Sequence, residues 1–159
     1  MQTIITILTV LSMYTTSIQN VNSEYFYNAD IENGIVTNLY VYQQGDNGLA
    51  PKAMNHYEYD EQGRLTEKVV SRWDIWTKEY QPAYRLQMIY VNDGYELAYS
   101  TWNTKEKTWN LSSEKTIYQF EDGQLLSTNS LQRNNQGEYQ SVEHTIIMNP
   151  YEDQLLAGK

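Results

Sequence analysis

Apolar and polar positions alternate along most of this chain. From Tyr84 to Val91, Tyr84, Leu86, Met88 and Tyr90 share one side of an extended segment, and Arg85, Gln87, Ile89 and Val91 share the other. That is the period of two that a strand requires. Tyr57 with Tyr59 and Tyr118 with Phe120 close similar segments, while Ile35 with Val36, Leu65, Tyr95 with Leu97, and Leu125 with Leu126 open the next ones. No window carries a convincing helical period, so the pattern predicts strands.

The punctuation between these segments repeats. Glu32-Asn33-Gly34, Glu61-Gln62-Gly63, Asn92-Asp93-Gly94 and Glu121-Asp122-Gly123 recur at intervals of about 30 residues, a period typical of structural repeats. A three-residue hairpin loop closing on a glycine with positive φ accounts for their form. Midway between them lie QQGDNG from Gln43, DIWTKE from Asp74, NTKEKT from Asn103 and RNNQGE from Arg133, all rich in turn formers. Each unit therefore reads as strand, longer loop, strand, tight turn.

Joined end to end, such units make an all-β antiparallel meander of hairpin repeats, with eight to ten strands. Residues 23–159 form one β-hairpin repeat domain on this reading. Strands such as RLTEKV, from Arg64, offer only alternate apolar positions, which favours an extended or partly rolled single sheet over a deep sandwich. The phrase FEDGQLL, from Phe120, returns as YEDQLL, from Tyr151, a fifth copy of the turn that would cap the array.

Composition sharpens this picture. Fifteen Tyr and four Trp stand beside two Phe, and mean hydropathy is −0.67, which suits sheet faces that are half wet rather than a thick aliphatic interior. A net charge of −9, with its few basic residues scattered from Lys52 onward, excludes the basic stripe that nucleic acid demands and disfavours anionic membrane surfaces. The lack of cysteine excludes disulfides, thiolate catalysis and Cys-ligated zinc.

The run IITILTVLSM, Ile4 to Met13, has the length of a signal-peptide centre and is too short for a membrane span. Residues 1–22 are therefore expected to be a signal peptide, cleaved between Ser17 and Ser23, exporting the protein to the periplasm or cell surface. The other reading of the run is a first buried strand, because Thr, Ile and Val dominate it.

The phrases YEYDEQGRLTEKV, IYVNDGYELAYSTW and IYQFEDGQLLSTNS resemble the hairpin repeats of a family of exported proteins of unknown function from Bacteroides-type gut bacteria. They are more distantly similar to the tyrosine-aspartate repeats of Rhs and teneurin proteins, although only Tyr59-Asp60 with Gly63-Arg64-Leu65 keeps the full form. The resemblance spans about residues 25–159 and implies export, an all-β fold and no established chemistry.

Aromatic residues flank the longer loops: Trp73, Trp76 and Tyr80 around DIWTKE, Trp102 and Trp109 around NTKEKT, and Tyr139 after RNNQGE. Flat rings of this kind stack on sugars or pack against protein partners; cross-strand pairing of Trp102 with Trp109 is the purely structural alternative. His56 and His144 form no triad and make a poor metal site. The acidic pairs at the tight turns sit roughly 10 Å apart, two strand spacings, too far to share a cation. The reading is a non-catalytic exported module without metal or cofactor, contacting a glycan or protein partner through those six aromatics. A surface scaffold and a hydrolase with a hidden carboxylate pair are the alternatives.

Overall fold

The computed structural model describes residues 4–146. Among them are ten strands: β1 (Tyr25–Glu32), β2 (Ile35–Gly45), β3 (Gly48–Tyr59), β4 (Leu65–Asp74), β5 (Glu79–Val91), β6 (Gly94–Asn103), β7 (Thr108–Trp109), β8 (Glu114–Glu121), β9 (Gln124–Arg133) and β10 (Tyr139–Ile146). They form one antiparallel sheet in the order β1-β2-β3-β4-β5-β6-β8-β9-β10, with the two-residue β7 paired to β6. This is the meander that the alternating pattern predicts. The repeated turn at Tyr151–Leu156 lies outside the described residues.

One element departs from the prediction. Residues Ile7–Gln19 form a helix, α1, started by a reciprocal pair of hydrogen bonds between Thr6 and Thr9. Its covered positions are Ile7, Thr9, Val10, Leu11, Tyr14 and Ser17, of which Ile7, Val10, Leu11 and Tyr14 make an i, i+3, i+4, i+7 stripe. Leu8 and Met13 on the exposed side are also apolar, and this erases the contrast by which an amphipathic period is recognised. The helix packs on β1 and β2. Just before it, Leu65 N–H donates to the Ile5 carbonyl at 2.8 Å, and Ile7 N–H donates to that of Gly63 at 2.9 Å.

The turns differ in detail from a uniform three-residue loop. Glu32 pairs with Ile35, and Glu121 with Gln124, so Asn33-Gly34 and Asp122-Gly123 are two-residue turns with positive φ at both positions, the geometry that follows sheet twist. Of the four triplets only Glu61-Gln62-Gly63 is a three-residue loop, closed by the Asp60 N–H donating to the Arg64 carbonyl at 2.9 Å. Gly94 has no positive φ. A Cβ there would strike the Tyr118 carbonyl, so close backbone approach is what requires glycine. QQGDNG is tight as well, since Gly45 pairs with Gly48 around Asp46-Asn47.

The chain divides into two compact units, residues 4–86 with 101–110, and residues 87–100 with 111–146. In the first unit Val10, Val36, Tyr57, Leu65 and Val70 are buried, Val36 completely. In the second, Met88, Tyr95 and Ala98 are buried, and Tyr95 stacks on Tyr118 with ring centroids 4.7 Å apart. Few side chains are fully enclosed in either unit, as an aromatic-rich, aliphatic-poor composition requires.

Candidate functional site: an aromatic and polar sheet face

Cα partners in an antiparallel ladder project to the same side. Register therefore places Asp30 and Asn38, Asn38 and His56, Tyr40 and Met54, and Glu58 and Glu67 on one face of the first unit. Val36, Tyr57, Leu65 and Val70 occupy the other. Ser71 is the partner of Met54, and Trp73 lies two positions further along β4, hence on the polar face.

Tyr80 joins that face through its rings. Its centroid is 4.9 Å from Trp73, edge to face at 69°, and 6.0 Å from Tyr40. Arg85 joins it through Glu67, with Nη1 3.4 Å from Oε2. Five positions separate Tyr80 from Arg85, so the alternation of β5 must slip once between them. Pro82 lies in that interval; a residue with no amide to donate belongs at a bulge. Pro51 does the same on β3, where the register with β2 shifts between Val41 and Tyr42.

The hairpins β4–β5 and β6–β7 are built alike. Asp74 Oδ1 accepts from Trp76 N–H at 2.8 Å and Thr77 N–H at 3.3 Å; Asn103 Oδ1 accepts from Lys105 and Glu106 N–H, both at 3.1 Å. Each four-residue loop ends on a lysine with positive φ, Lys78 or Lys107. Each is closed by an edge-to-face aromatic pair, Trp73 with Tyr80 and Trp102 with Trp109, centroids 4.9 Å apart in both. Such a pair contributes roughly 0.5–1.5 kcal/mol beyond its burial. The Arg85 guanidinium lies 4.9 Å from the Trp109 ring centroid, and its Nε is buried without a hydrogen-bond partner among the described residues. Stacking on an indole face suits a guanidinium in that position.

At the other side of the face, Asp30 Oδ2 accepts from Asn38 Nδ2 and from the Tyr40 hydroxyl, each at 2.9 Å. These hydrogen bonds, that from Asn38 foremost, hold the Asp30 carboxyl below its ordinary range, and donation to Asp30 pushes the Tyr40 hydroxyl up. His56 Nδ1 is 2.8 Å from Asn38 Oδ1, and Nε2 is 3.6 Å from Glu58. The Asn38 amide already donates to Asp30, so its oxygen faces His56, which places a proton on Nδ1. Among the described residues no three His, Asp or Glu groups converge as metal ligands.

Five of the six aromatics singled out in the sequence thus lie in the first unit, four of them in the two edge-to-face pairs. Trp76 sits at the β4–β5 loop tip, 88% exposed, beside exposed Ile75. Tyr139 belongs to the other unit, where its hydroxyl donates to the Ser112 carbonyl at 2.7 Å and Lys115 lies over its ring. Sequence reasoning missed Asp30, Asn38, Tyr40, Glu67 and Arg85, which meet only once the register is known. The two prolines inside strands were the available signal that alternation would slip.

These features define an antiparallel β-meander protein with an aromatic and polar sheet face. Residues 1–120 match the model of DUF3836, a family of unknown function, and the chain belongs to that family. A protein of unknown function from Bacteroides fragilis NCTC 9343 has a similar crystal structure, with TM-score 0.71 and 23% identity over 83% of this chain and 96% of its own. A DUF3836 family protein from Bacteroides vulgatus ATCC 8482 gives TM-score 0.53 at 24% identity, over 56% of this chain and 91% of its own. Another from Parabacteroides distasonis ATCC 8503 gives 0.50 at 28%, over 55% and 82%. No curated protein matches the chain.

Proposed function

We propose that this protein is an exported, non-catalytic module that binds a carbohydrate against the aromatic side of its first unit. The observation that carries the reading is the contact among Tyr40, Trp73 and Tyr80 on a face that also holds Asp30, Asn38 and His56. Sugars are recognised by flat rings beneath their C–H faces and by planar polar groups at their hydroxyls. Trp76 lies exposed in the loop beside that surface, where its flat ring is available to stack on a partner. The apolar run in α1 supports export, and no helix among the described residues is long and apolar enough to cross a membrane.

A glycan array probed with the full chain tests the reading. Trp76→Ala is expected to weaken binding of the glycan by about tenfold or more, with an unchanged melting temperature because Trp76 is 88% exposed. Equal binding by variant and wild type would remove the loop tip from the site. A scaffold role is the second reading, favoured by β10, whose eight residues are all exposed and which pairs only with β9 among the described residues; concentration-dependent assembly in sedimentation would favour it.

A further inference from the structure

Two aromatic clusters of the same construction occur in one unit, and the proposed function uses only the first. Trp73 and Tyr80 close one hairpin; Trp102 and Trp109 close the other, with the same loop length, the same Asx contacts to the loop amides and the same lysine at positive φ. Structural support alone explains one aromatic pair at each hairpin. It does not explain why the Arg85 guanidinium, bonded to Glu67 on the polar face, lies against Trp109. That contact brings the second pair to the face carrying the first.

The spacing of the clusters sets the size of what they hold. Tyr80 and Arg85 are five positions apart on β5, about 17 Å along a regular strand and less across a bulge. A single sugar ring reaches one cluster; a chain of several rings reaches both. Charge sets its kind. Asp30 and Glu58 are exposed on this face, Arg85 is paired with Glu67, and the chain carries −9 overall, so uronate or sulfate groups meet repulsion while hydroxyls meet acceptors.

We infer that the face binds the interior of an uncharged polysaccharide chain, with Trp73, Tyr80 and Tyr40 forming one stacking subsite and Trp102 with Trp109 a second. This rests on the carbohydrate-binding reading. It makes affinity a function of chain length, because a chain seated on the first cluster presents its next rings to the second at high effective concentration.

The test uses the full chain and ladders of cello-, laminari- and manno-oligosaccharides, from the monosaccharide to the octasaccharide, measured by calorimetry. Affinity should rise at least about tenfold once the oligosaccharide spans both clusters and then level off. Trp109→Leu keeps an apolar plug but no flat ring, and should abolish the rise with chain length; circular dichroism on the same sample verifies the fold. Trp76→Ala should weaken every length alike. Sugar binding with no dependence on length, or a length dependence that survives Trp109→Leu, overturns this inference alone. Failure of every oligosaccharide, with binding of none of the array glycans, overturns the carbohydrate reading itself, and preference for uronate or sulfated chains overturns the assignment of charge.

Discussion

A methyl group at Gly94 would run into the carbonyl of Tyr118 on the neighbouring strand, whereas one at Gly123 would meet nothing within 4 Å. The two glycines occupy the same place in the repeated triplet, yet they are required for different reasons. At Gly123 the requirement is a backbone angle, φ +77°, and Gly123→Ala should cost about 1–2 kcal/mol. At Gly94 it is space against an immobile backbone, and Gly94→Ala should cost about 3 kcal/mol. Chemical denaturation of both variants checks the order; equal losses would show that the strands relax around Gly94. The sequence marked both as turn glycines because spacing reveals where a small residue is needed, not which neighbour forbids a larger one. The polar network of Asp30, Asn38 and His56 was illegible for a related reason, since these residues come from three strands and are joined only by register.

At the scale of elements, an Asx residue opens most of the loops longer than two residues. Asp60 Oδ1 accepts from Gln62 and Arg64 N–H at 3.0 and 2.9 Å, and Arg64 Nε donates to Oδ2 at 2.7 Å. Asn134 repeats the pattern with Gln136 and Glu138. Desolvation raises the Asp60 carboxyl, but the Arg64 amide and guanidinium and the Gln62 amide together outweigh it, leaving the pKa below its ordinary value. As pH falls through about 4, the unfolded chain takes up this proton before the folded one, so the stabilisation present above that pH is lost below it. Asp60→Asn should therefore flatten the acid side of the stability curve below about pH 4; an unchanged acid limb in melting experiments would count against this turn as its source. The strands were legible because one wet and one covered face preserve the alternation. Helix α1 was not, because Leu8 and Met13 are apolar on its exposed side.

For the molecule as a whole, the meander was legible from the evenly spaced turns, and the thin interior from the excess of tyrosine and tryptophan over phenylalanine together with the low mean hydropathy. Each unit has a tyrosine whose hydroxyl burial perturbs: half-buried Tyr59, whose hydroxyl donates to the Val36 carbonyl at 2.9 Å, and buried Tyr95. Burial pushes both hydroxyls up to about 12. An unfolded tyrosine ionises near pH 10, so stability is complete below that point and falls as pH climbs from about 10 towards 12. Tyrosinate absorbance followed beside circular dichroism should show ionisation of these two rings coinciding with loss of sheet; ionisation of all tyrosines with the sheet intact would contradict it. The order of the sheet has an evolutionary corollary. Apart from the small excursion at β7, each strand bonds to the one made just before it, so a hairpin can be gained or lost at either end of the sheet without re-pairing any other. Relatives of different length can then arise by duplication or deletion of single hairpins, and nascent chain can begin zipping up long before its last residue is synthesised.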